Sequence, residues 1–405
     1  MRILQINHVY KNGGSTGRIV YDLKNIIEAE KDEAYVAFGY EYKRTNDSHT
    51  YKIETIPELK VNILKTRIFA EHGFYNTVET KRLIKWINGI KPDVIHLHNI
   101  HGHYINIAIL FDYIKENNIP VVWTLHDCWP FTGWCAYFDF VQCRKWITGC
   151  SECPSKHDYP YSWFLDRSKE NYKRKKECFL GVKNLTVVTP SNWLACLVKQ
   201  SFLKEYPVKV INNGIDITTF HPVESDFRER YKIFDRKIIL AVSMGLEKRK
   251  GIKYIFNLAD MIDDKKAVVV IVGVGKEQMG SVPSNIICIE KTSNVHELAE
   301  AYSAADVFIN PTLEDNFPTT NLEAMACGTP VVTFDTGGSP ESVREKCGRI
   351  VEKGNMEEFY SAVMNTLDNK SYSDTCIQNV AENYEKKKCF NKYIELYRQI
   401  LKQQI

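Results

Sequence analysis

Two carboxylates, Asp315 and Glu323, stand eight positions apart in the stretch PTLEDNFPTTNLEAMACGTPVV, with Asn316, Phe317, Pro318, Thr319 and Thr320 between them. Residues 307–310 form a short apolar run suited to a buried parallel strand, and residues 330–334 form another. A helix between them is expected to start at Pro318, where a missing N–H costs nothing, and to stop at Gly328, which accepts a left-handed cap. The amides of Thr319 and Thr320, with the positive end of the helix dipole, then open into the loop 314–317, a place that suits an anion. Carboxylates beside an anion accept hydrogen bonds from the hydroxyls of a sugar or ribose. The combination reads as a nucleotide-sugar site; an ordinary strand–helix–strand crossover with surface acids would carry the same local pattern.

Four further groups of residues have chemical potential. The run SMGLEKRKG follows the apolar segment 237–242 and supplies Arg249 and Lys250 at a strand end that faces the expected cleft; a solvated basic turn is the other reading. Gly13 and Gly14, after the first apolar run, permit close backbone approach; Ser15 or Thr16 can cap a helix that follows over 18–27. The Lys required of a P-loop is absent there. His126 and Asp127 fall immediately past the apolar run 121–125, at the end of a strand where ligands gather. Cys135, Cys143, Cys150 and Cys153 come close together in sequence, and a Cys-x-x-Cys knuckle with two upstream thiols is compatible with tetrahedral structural zinc. Such a site contributes about 10–16 kcal/mol to ordering a small loop. The other reading of these four is a cluster of buried thiols around Trp129, Trp134 and Trp146.

The elements that must position these residues are short β-branched runs alternating with helical patterns, the mark of an α/β doubly wound parallel sheet. The alternation occurs twice. One series runs through 3–6, 34–38, 94–97, 121–125, 185–189 and 208–211; the other through 237–242, 267–272, 286–289, 307–310 and 330–334. Two Rossmann-like halves imply a cleft, with ligands beyond the carboxyl ends of the strands. The 405 residues, 44% of them apolar, suffice for two full cores. A net charge of +3 gives no electrostatic footprint for nucleic acid. No apolar run of about eighteen residues is present, and RILQIN reads as a strand rather than a signal sequence. A cytoplasmic protein is expected, with its twelve cysteines as thiols or metal ligands. The stretch 60–86 mixes Lys and Arg with apolar and aromatic residues; it reads as an amphipathic helix of the first domain or as one resting on an anionic bilayer. GVGKEQMG at 273–280 lacks the spacing of a dinucleotide fingerprint and reads as a turn.

The segment 311–332 resembles the acidic motif of the family-4 retaining glycosyltransferases, with Asp315 at the first acidic position and Glu323 at the second. The resemblance extends along the chain through the Gly13-Gly14 loop, the strand-end His126, the Asn-Gly-Ile-Asp turn at 213–216 and the Lys250-Gly251 pair. It implies a GT-B fold, two Rossmann-like parallel-sheet domains facing across a cleft: an acceptor-side domain over 1–207, a donor domain over 208–385, and a terminal helix over 386–405 packing back on the first. By the same resemblance Asp315 contacts donor-sugar hydroxyls, the amides of the loop from Asn316 through Phe317, Pro318, Thr319 and Thr320 hold the distal phosphate, and Glu323 binds the ribose. Lys250 holds the diphosphate, Gly13 and Gly14 meet the donor phosphates, and His126 touches the donor sugar near the reacting carbon. The chain departs from the pattern twice: Asp replaces Glu at 315, a methylene shorter, and the family's Arg before Lys250 is missing, leaving Lys248 or Arg249 to substitute.

The activity implied is retaining transfer of a sugar from a UDP- or GDP-sugar to a glycan or polyprenyl-diphosphate-linked acceptor in surface-polysaccharide synthesis. No cofactor is needed for catalysis, and peripheral contact with the cytoplasmic face of a membrane is expected. A nucleotide-sugar epimerase on the same fold would need no acceptor; a non-catalytic nucleotide-sugar binding protein would neither hydrolyse nor transfer.

Overall fold

β-Branched residues dominate the runs that become strands, and in the computed structural model they form two parallel sheets in two compact units. The structure describes residues 1–11, 14–40, 47–243, 245–344, 346–369 and 372–403. The first unit comprises residues 1–211 and 390–405, the second residues 212–389.

Seven strands build the first sheet: β1 Arg2–Val9, β2 Glu33–Tyr40, β3 Thr50–Lys52, β4 Val94–Leu97, β5 Val121–Thr124, β6 Leu185–Thr189 and β7 Val208–Val210, in the order β3-β2-β1-β4-β5-β6-β7. All neighbouring pairs are parallel, with Ile3 of β1 opposite Ala34 of β2 on one side and Val94 of β4 on the other. The order reverses between β1 and β4, so the loops after these two strands diverge to opposite faces. That opening is where a doubly wound sheet receives ligands.

The second sheet holds β8 Lys237–Val242, β9 Ala267–Val272, β10 Ile286–Ile289, β11 Val307–Asn310, β12 Val331–Phe334 and β13 Gly348–Val351, in the order β10-β9-β8-β11-β12-β13. Its reversal lies between β8 and β11. Helices cover both faces, so strands such as β9 are buried at every position. The strand period of two divides the side chains between two cores. Leu240, Val268, Val270 and Phe308 join one; Ile239, Val269, Ile271 and Phe334 join the other.

Every strand expected from the sequence forms, and β3 and β13 are added. Neither has the signature of a buried strand: β3 is three residues of mixed polarity at a sheet edge, and β13 exposes Arg349 and Ile350 at the other sheet's edge. The stretch 60–86 is not one helix. Helix Ile56–Phe69 is closed at its start by a Thr55–Glu58 capping box and at its end by Ala70 in the left-handed region; helix Thr77–Ile90 follows after Gly73 (φ 87°) and Asn76 (φ 62°). The Thr-x-x-Glu box and the glycine were both available as signals. The helix after β1 begins at Gly14, not Arg18, so Ser15 and Thr16 lie inside its first turn instead of capping it. Gly13 lies outside the described residues.

The boundary between units falls after Ile211 because β7 pairs with β6 in the first sheet. The terminal helix, Lys386–Lys402, starts in the second unit, where Lys386 Nζ meets Asp216 Oδ2 at 2.8 Å. From Phe390 it belongs to the first, where Tyr397 OH and His96 Nδ1 share a hydrogen bond of 2.6 Å. Among the described residues no helix is long and apolar enough to cross a membrane.

Candidate active site

In the second unit the loops that follow β8 and β11 meet at the reversal of strand order, and they carry the residues singled out above. The Leu313 N–H donates to the Arg249 carbonyl at 2.8 Å, and the Arg249 guanidinium reaches back through Nη1 to the Glu314 carbonyl at 3.0 Å. Arg249 also pairs with Glu247 at 3.1 Å. It therefore braces the loop 311–318, a structural commitment that the phosphate role expected for it did not include. The next residue, Lys250, places Nζ 2.5 Å from Asp315 Oδ2, with side-chain exposures of 33% and 14%. One predicted phosphate ligand and one predicted hydroxyl acceptor thus occupy each other.

A third loop, after β12, clamps Asp315 from its other side. Gly338 N–H donates to the Asp315 carbonyl at 3.2 Å, and Thr336 Oγ1 donates to the Leu313 carbonyl at 3.1 Å. Gly337 stands at φ 58°, and a Cβ there would lie 1.8 Å from the Asp315 carbonyl oxygen. Across the site, Gly251 has φ 74°, and its Cβ would lie 1.9 Å from the Pro311 carbonyl oxygen. Only glycine allows both approaches. The Thr-Gly-Gly turn after β12 was visible as a sequence signal but was not tied to Asp315.

The helix Thr319–Ala326 has Pro318 at its N-cap without a side-chain cap, and Gly328 (φ 83°) follows its end, so both boundaries lie where the sequence puts them. Phe317 and Asn316 are buried; Phe317 packs at 5.8 Å on Tyr384. Thr319 and Thr320 are partly exposed at the helix start. Asn321 ties the helix into the unit, accepting from Asn310 Nδ2 at 2.8 Å and donating to Ser339 Oγ at 3.1 Å. Glu323, partly buried, accepts a hydrogen bond from Tyr302 OH at 3.1 Å. Tyr302 is fully buried, so one oxygen of Glu323 is fixed in direction. No pattern in the sequence pointed to Tyr302.

The remaining expected residues belong to the first unit. Gly14 opens the helix after β1 with φ 84° and no atom within 4 Å of where a Cβ would stand, so a ligand has room beside it. His126 follows β5 and shares a 3.1 Å hydrogen bond with His98. Burial lowers its pKa to about 4, against a smaller opposing effect of Asp127, so the ring is neutral at physiological pH. Asp127 accepts from Trp129 N–H at 2.9 Å and contacts His101 Nε2 at 2.7 Å.

The four cysteines, expected as zinc ligands or as a cluster of buried thiols, all lie in the first unit. Among the described residues no group of three or more His, Cys, Asp or Glu stands where it could hold a metal ion. Contact with Cys153, then burial, raises the Cys135 thiol well above its usual pKa, and burial pushes Cys150 up to about 11. The same contact lowers the Cys153 thiol, while Cys135 lies in the core with Trp129 and Trp146 and Cys143 and Cys150 pack against that core.

A family model described as Glycosyltransferase Family 4 matches residues 17–219, and one described as Glycosyl transferases group 1 matches residues 236–369. The chain belongs to glycosyltransferase family 4. This glycosyltransferase is 24% identical over 371 residues to WcaC of Escherichia coli, a glycosyl transferase named for colanic acid biosynthesis, covering 87% of the chain and 88% of the relative. It is 27% identical over 215 residues to the Campylobacter jejuni N,N'-diacetylbacillosaminyl-diphospho-undecaprenol alpha-1,3-N-acetylgalactosaminyltransferase, covering 44% of the chain and 52% of that enzyme. Among solved structures, sucrose-phosphate synthase from Thermosynechococcus elongatus matches with a TM-score of 0.75 at 16% identity, covering 100% of both chains. Anabaena HepE in complex with UDP-glucose matches with a TM-score of 0.65 at 14% identity, covering 98% of this chain and 100% of that one. These likenesses show the fold, the GT-B class of two Rossmann-like units.

The glycosyltransferase tolerates no side chain at the two glycines that clamp its acidic loop. Gly337→Ala and Gly251→Ala are each expected to lower unfolding stability by about 1–3 kcal/mol from backbone strain, with the clash added. Gly280→Ala, where no atom lies within 4 Å, serves as control. Thermal unfolding of the three variants checks this; a Gly337→Ala protein as stable as the control would contradict the clamp.

Proposed function

We propose that this glycosyltransferase moves a sugar, with retention of anomeric configuration, from a UDP- or GDP-sugar to a glycan or polyprenyl-diphosphate-linked acceptor in surface-polysaccharide synthesis. The observation that carries the reading is the Lys250–Asp315 pair at the strand-order reversal of the second unit, beside the start of the helix Thr319–Ala326. A phosphate cation and a hydroxyl acceptor held on adjoining loops match the two ends of a diphospho-sugar. The names of the Escherichia coli and Campylobacter jejuni relatives support the polysaccharide and lipid-linked context, and the UDP-glucose in the Anabaena neighbour supports the donor class.

In this reading the donor diphosphate takes Lys250 from Asp315, and Asp315 accepts from the sugar hydroxyls released to it. The amides of Thr319 and Thr320 meet the distal phosphate, and Glu323, steadied by Tyr302, binds the ribose. Gly13, Gly14 and His126 complete the donor contacts on the resemblance to the family. The bond from the anomeric carbon to the phosphate oxygen breaks, a bond to the acceptor oxygen forms on the same face, and the acceptor's proton passes to the departing phosphate. This route needs no protein nucleophile; the chain stabilises the charge that builds on the phosphate. Helix-end effects contribute about 0.3–1 kcal/mol, up to about 2, whereas micromolar binding needs about 8 kcal/mol. Most of the binding must therefore come from Lys250 and the hydroxyl contacts.

The peripheral membrane contact has its support in helix Ile56–Phe69, whose polarity is inverted. It buries Asn62 and Thr66 and exposes Val61, Leu64 and Phe69 among Lys60, Lys65 and Arg67. Trp163 N–H donates to the Arg67 carbonyl at 2.8 Å, which sets Trp163, Leu165 and the 73% exposed Phe164 beside this face. Apolar and aromatic side chains interleaved with cations suit an anionic lipid surface.

Two measurements test these readings. Incubation with UDP-, GDP- and ADP-sugars is expected to reveal slow hydrolysis of at least one, and Lys250→Ala to lower it about 10–100-fold, the scale of a lost charge-assisted bond; near-normal turnover in that variant would remove Lys250 from the site. Sedimentation with phosphatidylglycerol vesicles is expected to pull down the chain in low salt but not the Leu64→Ser/Phe164→Ser variant. Equal recovery of the two would rule out this face as the contact.

A further inference from the structure

The first unit contains a chain of hydrogen bonds that ends on His126 and that the proposed mechanism leaves unused. It begins at Gln5, a fully buried amide in the middle of β1. Gln5 Nε2 donates to the Val20 carbonyl at 3.1 Å. A carbonyl accepts only, so this bond decides which end of the amide is nitrogen, and Oε1 must be the atom 3.3 Å from His98 Nε2. That oxygen also accepts only. His98 Nε2 is therefore the protonated nitrogen of its ring.

Burial holds the His98 pKa well below the usual value, with His96 and His126 adding to the effect, so His98 carries one ring proton. Its Nδ1 then holds a lone pair, and Nδ1 is the atom 3.1 Å from His126 Nε2. The two ring planes differ by 13° with centroids 5.4 Å apart, which is the geometry of an in-plane, edge-to-edge N–H···N bond. The bond forms only if His126 supplies the proton from Nε2. The scaffold leaves little freedom for another arrangement: the His98 backbone is held by its N–H to the Ile6 carbonyl at 2.9 Å and by Trp123 Nε1 to its own carbonyl at 3.2 Å.

We infer that Gln5 and His98 are positioning residues that fix His126 as the tautomer protonated on Nε2, so that Nδ1 is its lone-pair nitrogen and His126 addresses a sugar as a hydrogen-bond acceptor. The role toward a sugar rests on the reading of His126 as a donor-sugar contact; the tautomer does not. A neutral acceptor selects a hydroxyl, which donates, over a group that only accepts. A cationic imidazole would instead have been drawn to the diphosphate, and burial of His126 excludes that form at physiological pH.

Long-range ¹⁵N–¹H correlation spectra of the ligand-free full chain, labelled in histidine and with His126 assigned through His126→Gln, read the tautomer directly. The expected pattern has His126 protonated on Nε2 in the wild type and mixed between the two nitrogens in Gln5→Met and in His98→Phe. A wild-type His126 protonated on Nδ1 would overturn the inference, as would a pattern unchanged in both variants. Should Gln5→Met fail to fold, the wild-type spectrum and His98→Phe still decide. With UDP-glucose, GDP-mannose and ADP-glucose as probes, Gln5→Met is expected to hydrolyse the accepted donor about tenfold more slowly, the scale of one hydrogen bond, while binding the matching nucleoside diphosphate as the wild type does. Unchanged hydrolysis in a variant whose tautomer has shifted would overturn the functional half. If the wild type hydrolyses none of the probes, the donor reading fails, and the relay stands or falls on the spectra alone.

Discussion

The loop between β11 and the helix Thr319–Ala326 is held by backbone atoms from both of its neighbours, and the placement of every proposed donor contact in the second unit follows from that. Arg249 grips it through Leu313 N–H and the Glu314 carbonyl; Gly338 grips it through the Asp315 carbonyl. Such gripping is possible because the strand order reverses between β8 and β11, which leaves the loops after these strands to meet at an open edge of the sheet. The two glycines at positive φ are the steric condition for the close approach. A carboxylate on a loop fixed at this many points keeps its direction without a ligand.

The Lys250–Asp315 contact on that frame is suited to exchange. Lys250 is one-third exposed, and ion pairs of that kind contribute about 0–1 kcal/mol to stability. A charge-assisted hydrogen bond to a diphosphate contributes about 1.5–3 kcal/mol. In the proposed function the diphosphate takes Lys250 from this pair, and the separation frees Asp315 for hydroxyls at the same moment. Asp in place of the family's Glu fits this arrangement: the shorter side chain, on a loop braced by Arg249, still reaches Lys250.

The strands were legible because their apolar runs are long enough to be buried on both faces, and the acidic loop because Pro318 and Gly328 mark the ends of its helix. Other features have no one-dimensional mark. Tyr302 reaches Glu323 from a different helix, and Gln5, His98 and His126 come from three different strands or strand ends; only tertiary packing joins them. The spacing of the cysteines does not report burial, which pushes the Cys150 thiol up to about 11. The break between helices Ile56–Phe69 and Thr77–Ile90 was legible at Thr55, Glu58 and Gly73 and was masked by a basic-apolar composition that continues across it.

The central claim is that the strand-order reversal of the second unit holds the nucleoside diphosphate. Hydrogen–deuterium exchange of the full chain, with UDP or GDP at saturation and without either, tests it directly. The account predicts slowed exchange in the segments 245–252 and 312–322 and little change across β9 and β10. Protection confined to other segments, with these two exchanging as before, would contradict it.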